Sequence, residues 1–430
     1  VKRWRMRLAS AATAAAIVCA AGIAPARAES APHLVEQNCV TYEPTPTSQL
    51  VNAWQLHRLN MDTVWRMATG KGVKIAVIDT GVSTLGSTYF SQGEDRVVSF
   101  DMIPPEENPD GDPSIDCKHG TVVTSILAAG RRPDGGPIAS ATNFAGIAPE
   151  STVYAYRTLK ASQTETEEGQ PKDEEDLTYT IAAVRQAIED DVDIINLSMV
   201  TFEDPKLGEF EAVIEDAISK GIVVVAAAGN QTQGRTDLPY PAAFDGVISV
   251  GISNQEDAGD PATHISRVIT VGAPGKNLVA LWPSRETGNP KVEDQAYVTN
   301  ATGTSFAAPV VSGVVALMLQ YERDVHGVEL TPAEVKARLV ATADRSGVRA
   351  PDPFIGFGIV NPLRALTNTT AGTAVEASAE PSEQPRMPVD TPRRTPLISM
   401  VGLGVGIGAV VAVLLGLVAA VAIPAARRRR

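Results

Sequence analysis

Cysteine is scarce in this chain, with three in 430 residues. Cys19 falls in a segment read below as an export signal, which leaves Cys39 and Cys117. In an oxidising compartment such a pair favours one disulfide over two unpaired thiols. Positive charge is also in short supply. The 37 Lys and Arg face 50 Asp and Glu, a formal net charge of -13, which argues against nucleic acid as the main partner. A calcium-loop pattern is missing as well. Asp110, Asp112 and Asp116 are acidic enough, but their spacing does not give the helix–loop–helix ligand set. No metal and no cofactor is expected. Apolar side chains are not lacking: at 44% hydrophobic and 20% charged residues, a large core can be buried and disorder is not the default.

The two ends of the chain differ from its middle. Lys2, Arg3, Arg5 and Arg7 precede an almost wholly apolar stretch from Leu8 to Ile23. Ala26-Arg27-Ala28 then has the small-x-small form of a signal-peptidase site. The expected mature chain begins at Glu29. Near the other end, Leu397 to Ile423 is an uncharged apolar run long enough to span a bilayer, followed by Arg427 to Arg430. The order of these segments places the middle outside the cytoplasmic membrane and a short tail inside. Gly402, Gly404, Gly406 and Gly408 give this second run small-xxx-small spacing, which suits a partner helix. The expected organisation is a signal peptide over 1–28, an extension over 29–62, the main domain over 63–366, a Pro/Ala/Glu-rich linker over 367–396, a membrane helix over 397–423 and a basic tail over 424–430.

The middle alternates strand and helix. Val73–Ile78, Val97–Phe100, Thr152–Tyr156, Val192–Leu197 and Ile222–Ala228 are short apolar runs. Helical spacing appears over His119–Ala129, Leu177–Glu189 and Gly208–Lys220. Apolar runs without polar alternation are what a sheet covered on both faces requires. Strands separated by helices indicate a mostly parallel α/β sheet, a three-layer arrangement.

Four reactive groups sit where these elements end or begin. Asp79 closes the strand Ile75-Ala76-Val77-Ile78-Asp79. His119 opens a helix. Ser305 begins the apolar helix that runs through Leu319. Asn230 follows Ala226-Ala227-Ala228-Gly229 at the end of another strand. Taken singly, these are a turn residue, a structural histidine, a helix cap and a left-handed turn residue. In an open α/β sheet, however, strand ends and helix starts share one crevice. A serine hydroxyl needs a base to become a nucleophile, and His119 supplies it with Asp79 fixing its tautomer. Asn230 and the Ser305 backbone N–H can then hold an oxyanion.

The segments Val77-Ile78-Asp79-Thr80-Gly81, His119-Gly120-Thr121, Ala228-Gly229-Asn230 and Gly303-Thr304-Ser305-Phe306-Ala307-Ala308-Pro309 resemble the four signature blocks of the subtilisin-like serine proteases. Ala273-Pro274-Gly275 and Gly356-Phe357-Gly358-Ile359-Val360-Asn361 are weaker matches. The resemblance runs from Gly72 to about Asn361 and includes the chain order Asp, His, Ser. It implies an endopeptidase with Asp79, His119 and Ser305 as its triad. In such proteases a donor like Asn230 is worth about 10²–10³ in rate. The whole layout is similar to that of the mycosins, membrane-anchored proteases of actinobacterial type VII secretion. That implies an exported protein or peptide substrate and secretion-channel components as partners. The alternatives are a subunit that mainly stabilises the secretion complex and a general cell-surface subtilisin.

Two departures from the resemblance carry consequences. Glu29 to Asp62 is too short for an inhibitory pro-domain of the usual kind. Paired cysteines 39 and 117 would instead tie the extension beside His119, closing a loop worth about 4–5 kcal/mol. The resemblance also implies that substrate lies as an extended strand along Leu197-Ser198-Met199. Most relatives carry glycine next, and here Val200 stands there and crowds the pocket. We therefore expect narrow specificity: casein should be cleaved poorly in a fluorescence-release assay, and rapid casein turnover would contradict the crowding.

Overall fold

In the computed structural model the described residues are 33–34 and 51–367, apart from 85–86, 92–95, 105–116, 141, 160–176, 233–234, 267, 283–296, 346 and 348. They all belong to one unit that ends at Ala374. The signal segment, Cys19, Cys39, the three aspartates 110, 112 and 116, the linker, the apolar run 397–423 with its glycines, and the basic tail lie outside the described residues.

Seven parallel strands form the centre of the molecule: β2 (Lys74–Asp79), β3 (Val97–Asp101), β4 (Thr152–Arg157), β5 (Ile194–Leu197), β6 (Val223–Ala227), β7 (Ile248–Ser253) and β8 (Val271–Pro274). An eighth, β1 (His33–Leu34), joins the edge antiparallel to β3, so the order is β1-β3-β4-β2-β5-β6-β7-β8. The chain leaves β2 toward one edge, builds β3 and β4, and returns to the other side of β2 with β5. The reversal lies between β2 and β5, and crevices form at the carboxyl ends of strands at such a point. β9 (Leu278–Leu281) and β10 (Tyr297–Ala301) pair antiparallel in a separate ribbon.

The reason for near-continuous apolar strands is visible in the packing. Ile75 and Val77 of β2, Ile194 of β5 and Val223 and Val225 of β6 enter one core. Ala76, Ile78, Ile195, Leu197, Val224 and Ala226 enter the other. Successive residues point to opposite faces, and both faces are covered. On the first face lie α1 (Trp54–Arg58), α2 (Met61–Val64), α3 (Lys118–Ala128) and α6 (Thr304–Tyr321). On the second lie α4 (Thr178–Glu189) and α5 (Leu207–Ser219). The short α1 and α2 bury Leu56, Leu59, Met61 and Val64, so the core reaches back to Val51.

Among the described residues, Thr304–His326 is the one helix long and apolar enough to cross a membrane, and 83% of that window is buried inside the domain. A helix apolar on all sides is a core helix in such a setting. It ends in a π-helical turn, Glu322–His326, whose Glu322 carboxylate pairs with Arg338 of α7 (Pro332–Thr342). α7 starts with a capping box between Thr331 and Glu334, and α8 (Pro362–Thr367) closes the described chain.

Both partners of the Glu322–Arg338 pair are buried, at 5% and 9% exposure. Removing one leaves the other charged and unmatched. Glu322→Ala should therefore lower unfolding stability by about 3–5 kcal/mol in urea titration, and the double replacement with Arg338→Leu should lose less. Equal losses would mean that the pairing is not what holds α7 to α6.

Candidate active site

Three neighbouring strands deliver the pieces. β2 ends in Asp79, β5 runs into Ser198-Met199-Val200, and β6 runs into Ala228-Gly229-Asn230. Their register places Ile78 beside Leu197, and Leu197 beside Ala226. The three chain ends therefore emerge side by side from the same edge of the sheet.

The Asp79 carboxylate is 1% exposed. Its Oδ1 accepts the Thr80 backbone N–H at 2.7 Å. Both oxygens face Nδ1 of His119, at 2.8 and 3.0 Å. A carboxylate only accepts, so Nδ1 is the donor in this contact. A second hydrogen bond fixes the helix carrying the histidine: the Gly120 N–H donates to Thr80 Oγ1 at 3.0 Å. α3 can come this close because residue 120 has no side chain. A Cβ there would stand 2.1 Å from the Gly81 carbonyl oxygen and 3.2 Å from Asp79 Oδ1. Cys117, which precedes α3, is disulfide-bonded; its predicted partner Cys39 lies outside the described residues.

Ser305 is the second residue of α6, whose first turn lies against the start of α3. The ring of Phe306 packs on that of His119, with centroids 5.3 Å apart. Ser305 and His119 line one pocket together with Leu159, Ser198, Met199, Val200, Gly229 and Asn230. The Ser305 backbone N–H belongs to the first helical turn, where amides lack intrahelical acceptors.

Gly229 adopts a positive φ of 90°, a turn that favours glycine and brings Asn230 back toward α6. There Oδ1 of Asn230 accepts both the Thr304 N–H at 2.9 Å and the Thr304 hydroxyl at 3.1 Å. A backbone N–H can only donate, which settles which end of the amide faces Thr304. The Nδ2 end is left for the pocket shared with Ser305. Thr304 did not stand out in the sequence reading, although its place beside Ser305 was the available signal.

The predicted substrate strand divides in two. Leu197 is fully buried in the core on the α4/α5 side and does not line the pocket, whereas Ser198, Met199 and Val200 do. Val200 Cγ2 lies 3.5 Å from where a Cβ on Gly229 would stand. The valine thus narrows the space between the β5 and β6 extensions. Among the described residues there is no group of three or more His, Cys, Asp or Glu placed to hold a metal.

Comparison with known proteins places the chain in a family. The profile of the subtilase family, peptidase S8, matches residues 70–358. The minor extracellular protease Epr of Bacillus subtilis (strain 168) is 26% identical over 356 residues, covering 83% of this chain and 48% of that protein. This chain therefore spans about half the length of Epr. Mycosin-4 of Mycobacterium tuberculosis is 30% identical over 361 residues, covering 78% of this chain and 73% of that protein. Among solved structures, the MycP3 protease from the type VII (ESX-3) secretion system aligns with a TM-score of 0.59 at 27% identity. That alignment covers 76% of this chain and 91% of the other.

The close approach at Gly120 is testable by itself. Gly120→Ala must push α3 away from the Gly81 carbonyl, and we expect a loss of about 1–3 kcal/mol in urea unfolding. A loss under about 0.5 kcal/mol would show that the helix has room to spare.

Proposed function

Since the chain belongs to the subtilase family and is a serine endopeptidase, we propose that Asp79, His119 and Ser305 are its catalytic triad and that it cleaves exported proteins as a membrane-anchored member of a type VII secretion system. The observation that carries the triad is the Asp79–His119 pair facing the pocket that Ser305 also lines. Ser305 Oγ attacks the scissile carbonyl while Nε2 of His119 takes its proton. Asp79 holds the Nδ1 proton and stabilises the imidazolium that forms. Negative charge on the former carbonyl oxygen is met by Asn230 Nδ2 and the Ser305 N–H. Collapse gives an acyl-enzyme, His119 returns the proton to the leaving amine, and water then repeats the sequence to release the acid.

The peptide lies extended along Ser198–Val200 and uses backbone hydrogen bonds. Val200 restricts what side chain can precede the cut, in keeping with its place in the lining of the pocket beside Met199 and Gly229. Support for the secretion role comes from likeness to mycosin-4 and to the MycP3 protease, together with the export signal and membrane run in the sequence. The extension acts as a structural wrap: β1 pairs with β3 at the far edge of the sheet, separated from β2 by two strands. A partner strand there also covers an otherwise open edge.

The full chain should react with a fluorescent fluorophosphonate, and Ser305→Ala should not. Labelling of the wild type alone identifies Ser305 as the activated nucleophile. Failure of a folded wild type to label would favour a mainly structural subunit of the secretion complex.

A further inference from the structure

Asn196 is an amide in the middle of a buried apolar strand, fully buried and facing the same side of β5 as Ile194. Such a group costs free energy unless both its ends are hydrogen-bonded. Both are. Its Oδ1 accepts the Ser312 hydroxyl of α6 at 2.8 Å, and its Nδ2 donates to the Ser198 hydroxyl at 3.0 Å. The Ser198 hydroxyl in turn donates to the backbone carbonyl of Ser305 at 2.8 Å. The result is a one-way chain, Ser312 to Asn196 to Ser198 to the Ser305 carbonyl.

The end of this chain meets a vacancy in the helix. A carbonyl in an α-helix accepts from the N–H four residues later. For Ser305 that residue is Pro309, inside α6, and proline has no N–H. The Ser198 hydroxyl stands where that missing donor would act. We propose that Asn196 is a positioning residue: it fixes the Ser198 hydroxyl as the substitute for the bond lost at Pro309, and so sets the Ser305 peptide against the substrate strand. One network then couples the strand that receives the peptide to the residue that attacks it. This rests on the assignment of Ser305 as nucleophile.

The test uses the full chain and the maximal rate at which a fluorophosphonate phosphonylates Ser305 Oγ, with loss of fluoride, at saturating probe, and thermal unfolding is measured in parallel. Ser198→Ala and Asn196→Ala should each slow phosphonylation about 10- to 100-fold, up to the scale of a 1 Å misplacement of a reacting group. Ser198→Thr, which keeps a hydroxyl, should recover the rate. Pro309→Ala restores a backbone N–H opposite the Ser305 carbonyl, so adding it to Ser198→Ala should recover most of the lost rate. A merely structural role predicts lower melting temperatures with phosphonylation rates within about twofold of wild type, and that result would overturn the proposal. So would a Ser198→Ala, Pro309→Ala double variant no faster than Ser198→Ala. If Asn196→Ala does not fold, the Ser198 and Pro309 variants decide the question by the same criteria. Absence of labelling in the wild type, or labelling of Ser305→Ala, would instead remove the nucleophile assignment and this inference with it.

Discussion

A carboxyl group out of contact with water has to be met by hydrogen-bond partners. Asp79 is such a group, and the surrounding structure is arranged around meeting it. The Thr80 N–H supplies one donor and the imidazole of His119 supplies the other. The imidazole can arrive only if α3 packs tightly on the turn after β2, which the bare backbone of Gly120 permits. Phe306 then rests on the imidazole and brings the start of α6 with it. One buried carboxyl group thus links the starts of two helices.

A similar logic governs the polar groups behind the site. Asn196, Ser198 and Ser312 lie in an otherwise apolar interior, and each is used. Asn230 is oriented through Thr304 in the same way. Polar groups held on both sides have one low-energy arrangement, whereas apolar packing alone tolerates several. A site whose reacting atoms must be placed within a fraction of an ångström gains from that rigidity.

Much of this was legible in the residues. The runs that became β2 to β6 were apolar on both faces, and each observed strand lies within about a residue or two of the predicted run. The helices α3, α4 and α5 showed clear spacing. Asp79, His119, Asn230 and Ser305 stand out in the sequence because they close strands or open helices, and the structure brings His119, Asn230 and Ser305 to one pocket with Asp79 hydrogen-bonded to His119. β7 to β10 were not read. β8 is only Val271-Gly272-Ala273-Pro274, and β10 carries Thr299 and Asn300, so their extended form comes from neighbours rather than local preference. α7 was overlooked although Thr331-Pro332-Ala333-Glu334 is a start signal in its own right. Asn196 was passed over inside a run read as apolar, and a lone amide in such a run was the clue. Thr304 could be suspected from its place beside Ser305, but its partner could not, because Asn230 lies far away in sequence.

Because Asp79, Ser198–Val200 and Asn230 sit at the ends of adjacent strands, their lateral separations follow the spacing of hydrogen-bonded strands. The connections between those strands do not set these distances. Loop length can therefore drift through insertion and deletion while the chemistry stays in register. The chain between β3 and α3 and that between β4 and α4 are the natural places for such drift, and both are long in this sequence. Lineages built on this frame can change which proteins they meet by rewriting loops, with the strand ends as an unaltered ruler.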